Sequence, residues 1–179
     1  DVCSSDLGEL AADAQLEPPF SVEGGFLLDA HGGRVLLRGT NVSQSAKEAP
    51  YVATEIATDA GRAALAAHGP IAIRLLTSWA AIEPTAGNFD ETYLAALADA
   101  VAALGRDGHL VVLDLHQDLF GIGFPGGNGA PRFACDDDSY ATFTYEDPWF
   151  LNYNDPAMQH CFDALFANRS EEHTSELQS

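Results

Sequence analysis

The residues of this chain best placed for chemistry are Asp114, His116 and Asp118, which close the apolar run LVVLDLHQD that begins at Leu110. Side chains two apart project to the same side of a strand, so the three polar groups emerge together. Leu113 and Leu115 face the other way and are expected to be covered by helices. Two carboxylates flanking an imidazole can accept hydrogen bonds from hydroxyls, orient a neighbouring ionisable group or move protons. The same donor types could hold a metal. Against that, no further His or Asp pair stands at the other strand ends, and Asp114 lies deeper than the mouth. No metal and no cofactor are expected.

Other candidates stand on neighbouring segments. Arg74 interrupts the apolar strand Ile71–Leu76 and shares a face with Ala72 and Leu76. A buried guanidinium without a partner is costly, so Arg74 is expected to meet a carboxylate, one supplied from outside this chain. Lys47 is the only lysine and follows the first strand, as a solvated surface group or as a group at the mouth of the site. Trp79 and Trp149 follow strand ends, where an indole can stack on a sugar ring or simply fill core. Gly126-Gly127-Asn128-Gly129 lets backbone approach a ligand closely, or only permits a turn. Asp136-Asp137-Asp138 reads as a solvated loop tip. Asn41-Val42-Ser43 matches a glycosylation acceptor in form, and is discounted because that strand end is expected to be buried.

The elements that position these groups follow from periodicity and punctuation. Glu17 to Asn41 reads as a short hairpin and a first strand, with Phe26-Leu27-Leu28 and Val35-Leu36-Leu37 around the turn at Asp29 to Gly33. Thr54 to His68 has helical spacing with an apolar face at Ile56, Ala60, Ala64 and Ala67, and Gly69 as its stop. Asp90 caps a second helix whose apolar positions are Tyr93, Leu94, Leu97, Val101 and Leu104. Gly108 ends it, and the Leu110 strand and a long glycine-rich loop follow. Pro156 opens a last helix with an apolar stripe from Met158 to Phe166. Alternating strands and helices imply a parallel sheet with right-handed crossovers. All three strands carry polar residues at their carboxyl ends, and no glycine-rich phosphate loop follows the first. The expected class is therefore α/β, the N-terminal part of a (β/α)8 TIM barrel cut after about three βα units.

The two ends have another origin. The stretch DVCSSDL can be encoded by GACGTGTGCTCTTCCGATCT, whose reverse complement, AGATCGGAAGAGCACACGTC, reads Arg-Ser-Glu-Glu-His-Thr and the start of a serine codon. That is the run from Arg169 to Ser175. The shared element resembles an adapter used in short-read DNA sequencing. Residues 1–7 and 169–179 are therefore expected to be non-native, leaving 8–168 as a partial barrel domain.

The whole chain holds 27 acidic and 8 basic residues, a net charge of -19, and its interior stays strongly acidic without the two ends. Nucleic-acid phosphates need lysine and arginine, so a nucleic-acid partner is excluded. No run approaches the ~18 apolar residues of a transmembrane segment. With Cys3 set aside, Cys135 and Cys161 remain. A disulfide tying the loop to the last helix suits an exported protein, and two free buried thiols suit the sequence equally.

Several of these segments together are similar to glycoside hydrolase family 5: Leu37-Arg38-Gly39-Thr40-Asn41 with Ser45-Ala46-Lys47, Ile73-Arg74-Leu75-Leu76 with Ser78-Trp79, and Ile82-Glu83-Pro84. The run Leu113-Asp114-Leu115-His116-Gln117-Asp118 with Asn128-Gly129-Ala130-Pro131 narrows the resemblance to endoglycoceramidase-like enzymes, and Phe162 to Asn168 resembles the group's helix before its fourth strand. Phe133 departs from the group's usual Trp, and Gln44 from its usual Gly. The resemblance implies a retaining glycosidase that cleaves β-glycosidic bonds, with glycan release from glycosphingolipids as the expected activity. A β-glucosidase or endoglucanase on other β-glycosides, and a non-catalytic sugar-binding barrel, are the alternatives. By resemblance, Arg74 positions the nucleophile and His116 lies in the sugar site. Lys47 and Asp118 bond sugar hydroxyls, with Trp79 and Asn128 as further substrate-binding positions. Both catalytic carboxylates would come from strands this chain lacks; Glu83 matches a non-catalytic position. The expected partner is a carbohydrate or glycolipid, possible also at a membrane surface, and the expected location secreted or periplasmic.

Overall fold

A computed structural model describes residues 20–42 and 44–176, with side chains described as far as Ala167. Residues 1–7, the whole of the expected N-terminal adapter segment, lie outside the described residues, as do Glu17 and Ser43. The described chain opens with a hairpin of β1 (Ser21–Glu23) and β2 (Phe26–Leu28), turned by Gly24 and Gly25 at φ 56° and 80°. The turn at Asp29 to Gly33 forms as expected: the Asp29 carboxylate accepts from the backbone N–H of His31 at 2.9 Å and of Gly33 at 2.8 Å. Val35–Leu37 adds no strand there. The ladder continues only through the Leu28–Arg34 bridge and one bond from Val35 N–H to the Leu27 carbonyl, because β2 already pairs across the tighter glycine turn.

Three strands, β3 (Gly39–Val42), β4 (Ala72–Thr77) and β5 (Leu110–Leu115), form a parallel sheet in that order. Helix α1 (Asp59–Ala66) connects the first two. The second crossover is the short α2 (Trp79–Ile82) followed by α3 (Glu91–Arg106). Asp90 caps α3 as expected, accepting from Tyr93 N–H at 2.9 Å, and Gly108 follows its end at φ 85°. Leu97, Val101 and the fully buried Leu104 of α3 pack on Val42, Ile73 and Leu75 of the sheet. Apolar burial of this kind is the main term holding helix to sheet.

Helix α1 departs from its expected bounds and face. It starts at Asp59, because Thr58 caps it by accepting from Gly61 N–H at 3.1 Å, and 54–57 are turns. Ile56 still reaches the core from that turn, whereas Ala60, Ala64 and Ala67 are exposed and Leu65 makes the contact. Gly61 sits against the chain just before the helix, where a Cβ would lie 1.9 Å from the Glu55 carbonyl oxygen. That approach turns the alanine stripe outward.

The loop after β5 carries a core of its own. Leu119, Phe120, Phe124 and Ala130 are buried with Met158 and Cys161 of α5 (Pro156–Glu176), and Tyr140, Phe143, Phe162 and Leu165 pack around them. The expected apolar stripe of α5 is spent on this loop. Leu113 and Leu115 on the outer face of β5 are consequently left 51% and 54% exposed, against the expected helical cover. Cys135 and Cys161 form a disulfide, which resolves their pairing and ties the loop to α5. Asp136 to Asp138 form no loose tip: Asp136 caps α4 (Asp137–Thr142), accepting from Ser139 N–H at 2.8 Å.

The glycines around Asn128 serve the loop's own packing. A Cβ on Gly127 would lie 2.2 Å from the Gly121 carbonyl oxygen, and one on Gly129, at φ +104°, would lie 2.4 Å from the His116 carbonyl oxygen. Gly129→Ala is expected to cost more than 2 kcal/mol, to order of magnitude about 3, from strain plus overlap. Gly69→Ala, at φ +73° with nothing within 4 Å, should cost about 1 kcal/mol. Chemical denaturation of the two variants checks the ranking. Reduction of the disulfide should lower stability by about 3 kcal/mol, given the loop it closes, read as a fall in melting temperature on adding dithiothreitol.

Candidate functional site

Parallel register brings Arg74 and Asp114 to one face. Arg74 pairs with Val112 on β5 and Leu76 with Asp114, so the long guanidinium side chain needs to extend only one two-residue step to reach the carboxylate. Arg74 Nη2 lies 2.6 Å from Asp114 Oδ2. The partner of Arg74 is thus found within the chain, against the expectation of one from outside it, and the Arg74 side chain is 43% exposed rather than buried. On the other side, Arg74 Nη1 lies 3.5 Å from the Asn41 amide oxygen on β3. Asn41 itself is exposed, so burial gives no ground for discounting it as a modification site.

Beyond the strand end the network continues through His116. Its Nδ1 lies 3.0 Å from Asp114 Oδ2 and 3.4 Å from Arg74 Nη2, and its Nε2 lies 3.2 Å from Asp118 Oδ2. Lys47, in the 3-10 turn Gln44–Lys47, donates to the same Oδ2 at 2.7 Å, and the Asn128 side-chain amide donates at 2.9 Å. Asp118 and Asn128 also exchange both backbone hydrogen bonds, at 3.1 and 2.9 Å, which fixes the two side chains against each other. The structure therefore gathers Lys47, Arg74, Asp114, His116, Asp118 and Asn128 into one connected cluster at the carboxyl end of the sheet. Lys47 is paired with Asp118 and partly buried, rather than free in solvent.

Burial alone raises the Asp118 carboxyl. The hydrogen bonds from Lys47 and Asn128, then the charges of His116 and Lys47, outweigh it and bring the group down to about 2. Asp118 is thus ionised at any ordinary pH. Each cation in the cluster has a carboxylate and each carboxylate a cation, so the centre presents paired donors and acceptors with little net charge. Such a surface suits an uncharged polyhydroxyl ligand better than an ion. Among the described residues, no group of three His, Cys, Asp or Glu side chains is arranged to hold a metal ion.

Trp79 stands apart from the cluster. Its indole N–H donates to Glu83 at 2.8 Å, its ring packs edge-on against Phe133 with centroids 5.7 Å apart, and its body lies on the loop core. Glu83 also accepts from Gly87 N–H at 2.7 Å, and these bonds hold its carboxyl below the usual range. Trp149 is half exposed and packs on Phe150 and Tyr153. Three contributors escaped the sequence reading. Asn41 and the pairing role of Asp114 were visible in principle, as a lone Arg and a lone Asp on one face of consecutive strands. Tyr153, whose hydroxyl accepts from Leu119 N–H at 3.0 Å, had no such signal. A cavity of about 510 Å3 lies between the segment leading into α1, α3 and β4, and none of the cluster lines it.

The pairing of Asp118 carries a pH signature. A carboxyl depressed in the folded state stabilises above its unfolded value, 3.8, and loses that contribution as pH falls towards 2. Lys47→Met removes the strongest donor and should move the Asp118 midpoint upward into that interval. Carboxyl carbon resonances followed by NMR between pH 2 and 5 check it; an unmoved midpoint would dissociate Lys47 from Asp118.

No family model matches the chain. Endoglycoceramidase I of Rhodococcus hoagii is 37% identical over 148 residues, 82% of this chain and 29% of that protein. The solved endo-glycoceramidase II from a Rhodococcus species, in complex with a five-membered iminocyclitol, superposes with a TM-score of 0.66 at 36% identity, over 77% of this chain and 32% of that one. The same enzyme with ganglioside GM3 gives a TM-score of 0.65 at 34% identity, over 77% of this chain and 33% of that one. The chain thus spans about a third of the length of the relatives it matches. Along the stretch it spans, this chain is a homologue of the endoglycoceramidases.

Proposed function

We propose that this chain is the sugar-holding portion of a longer retaining glycosidase of (β/α)8 barrel type, truncated after about three βα units, which releases the glycan from glycosphingolipids. The observation that carries this reading is the Lys47–Asp118–Asn128–His116 cluster at the carboxyl ends of parallel strands. That is the face where barrels of this kind bind substrate. The relative solved with ganglioside GM3 supports the substrate class.

In this reading Lys47 and Asn128 are donors and Asp118 an acceptor for sugar hydroxyls. Arg74 and His116 support the reacting centre, and Trp79, set apart from the cluster, is a further substrate-binding position. The nucleophile and the acid/base, two carboxylates ~5 Å apart in a retaining enzyme, come from the part of the protein beyond this chain. The nucleophile would displace the lipid-linked oxygen as the acid protonates it, and water activated by the same group would then free the sugar. Residues 8–168 are the genuine coding portion, and residues 1–7 and 169–179 derive from an adapter. A secreted or periplasmic location accompanies the substrate, and the Cys135–Cys161 disulfide supports it, since such bonds persist in oxidising compartments. No helix among the described residues is long and apolar enough to cross a membrane, so a membrane-borne substrate would be met at the surface.

Extending the reading frame past Asn168 on the source DNA tests the proposal. The expected outcome is an Asn-Glu pair soon after, a later Glu at a strand end, and a protein that releases the oligosaccharide from ganglioside GM3 in mixed micelles. Asp118→Asn should lower kcat/KM on that substrate about 100-fold. Coding sequence without those glutamates would leave a sugar-binding barrel. Activity on soluble β-glucosides with none on the ganglioside would leave a β-glucosidase or endoglucanase.

A further inference from the structure

We infer that Asp114 is a positioning residue: its carboxylate holds the Nδ1 edge of His116, and through it sets how Asp118 meets a sugar hydroxyl. This rests on the sugar-site reading above and adds a residue to it. Asp114 lies one step inside the strand end, its side chain 22% exposed, so the groups it touches are protein groups. Its Oδ2 takes Arg74 Nη2 at 2.6 Å and stands 3.0 Å from His116 Nδ1.

The nitrogen chemistry fixes the direction of that second bond. His116 Nδ1 has two polar neighbours, Asp114 Oδ2 at 3.0 Å and Arg74 Nη2 at 3.4 Å. A guanidinium only donates and a carboxylate only accepts. One N–H of Arg74 Nη2 goes to the carboxylate at 2.6 Å, a charge-assisted contact, and the carboxylate is also the nearer neighbour of Nδ1, at 3.0 Å against 3.4 Å. Nδ1 therefore carries a proton and donates it to Asp114. By the same rule the other nitrogen, Nε2, set 3.2 Å from the ionised Asp118 Oδ2, also donates, so the ring bridges the two carboxylates.

The consequence falls on Asp118. Its Oδ2 is surrounded by Lys47 Nζ, Asn128 Nδ2 and His116 Nε2, while among the described residues its Oδ1 takes no hydrogen bond. One oxygen is spent on the protein and the other is left to accept from a ligand hydroxyl. A His116 ring released from Asp114 could turn, and the triple hold on Oδ2 would lose one member. A bare Arg74–Asp114 ion pair that merely clamps β4 to β5 would have no such effect on His116.

The test is nitrogen NMR on the 15N-histidine-labelled chain, with the His116 signals identified by their loss in His116→Gln, together with titration by lactose. The expected wild-type spectrum has a proton on His116 Nδ1. Asp114→Leu should lose that state and weaken lactose binding about tenfold. Asp114→Asn, whose amide oxygen can still accept, should restore the Nδ1–H signal and most of the affinity. A wild-type ring with no proton on Nδ1 overturns the inference without any variant having to fold. So does a folded Asp114→Leu whose His116 spectrum is unchanged. The expected ring spectra with no lactose binding at all would uphold the hold of Asp114 on His116 and count against the sugar-site reading alone.

Discussion

Placing a guanidinium on the inner side of a parallel strand sets the constraint that the rest of this site obeys. Arg74 stands between the buried Ile73 and Leu75 on β4, and its half-exposed guanidinium is directed along the inner face, where it meets a carboxylate. The register of β4 on β5 supplies Asp114 one step along. Once Asp114 is committed to Arg74, its remaining capacity falls on His116, two residues on and on the same face. His116 in turn meets Asp118, and Asp118 draws in Lys47 from the first strand's turn. Three consecutive strands thus become joined by a single chain of charge-assisted contacts. Each link is modest alone, and the geometry of each depends on the one before it.

The loop after β5 solves a different problem. Asp118 and Asn128 must be held in register where the sheet has already ended. A flexible loop would leave them loose by more than a binding site tolerates. This one is stiffened by a small core of Leu119, Phe120 and Phe124 against α5, by the Cys135–Cys161 link, and by glycines that admit backbone to within van der Waals range. The Ser78 hydroxyl and the Ala80 N–H both donate to the Gly129 carbonyl, so the end of β4 is stitched to the same loop. Precision at Asp118 is thereby obtained from packing well away from it.

The parts legible in sequence were those with strong local signals. The α3 cap and apolar face, the strand order and the common face of Asp114, His116 and Asp118 follow from spacing alone. What the sequence could not carry were pairings across elements. The partner of Arg74 lies forty residues on by chain count, and its identity depends on a register that no local pattern states. The buried face of α1 is not legible because alanine is a good helix former on either face, so a stripe of alanines does not say which way is in. Strand alternation predicts cover for Leu113 and Leu115, but cover depends on where α5 goes, and α5 is drawn to the aromatic residues of the loop. Chain position marks Lys47 as a candidate and resemblance to a family implies its role, but neither points to a carboxylate 71 residues away.

The two cores meet at Asp118. Its backbone leaves the strand held by the sheet core, whose buried members are Val42, Ile73, Leu75 and Leu104, and its side chain is braced by Asn128 from the loop core. Lys47 comes from the sheet side and Asn128 from the loop side, so the hydrogen bonds that hold Oδ2 in place bridge units with separate hydrophobic supports. Local opening of one unit need not unfold the other. Opening of the loop core would withdraw Asn128 and leave Lys47 and His116 in place, so the site would be impaired while the sheet persisted. The Cys135–Cys161 link raises the cost of that opening, and it does so in the segment that carries Asn128. That gives the disulfide a role in the site although neither sulfur stands near it in the hydrogen-bond network.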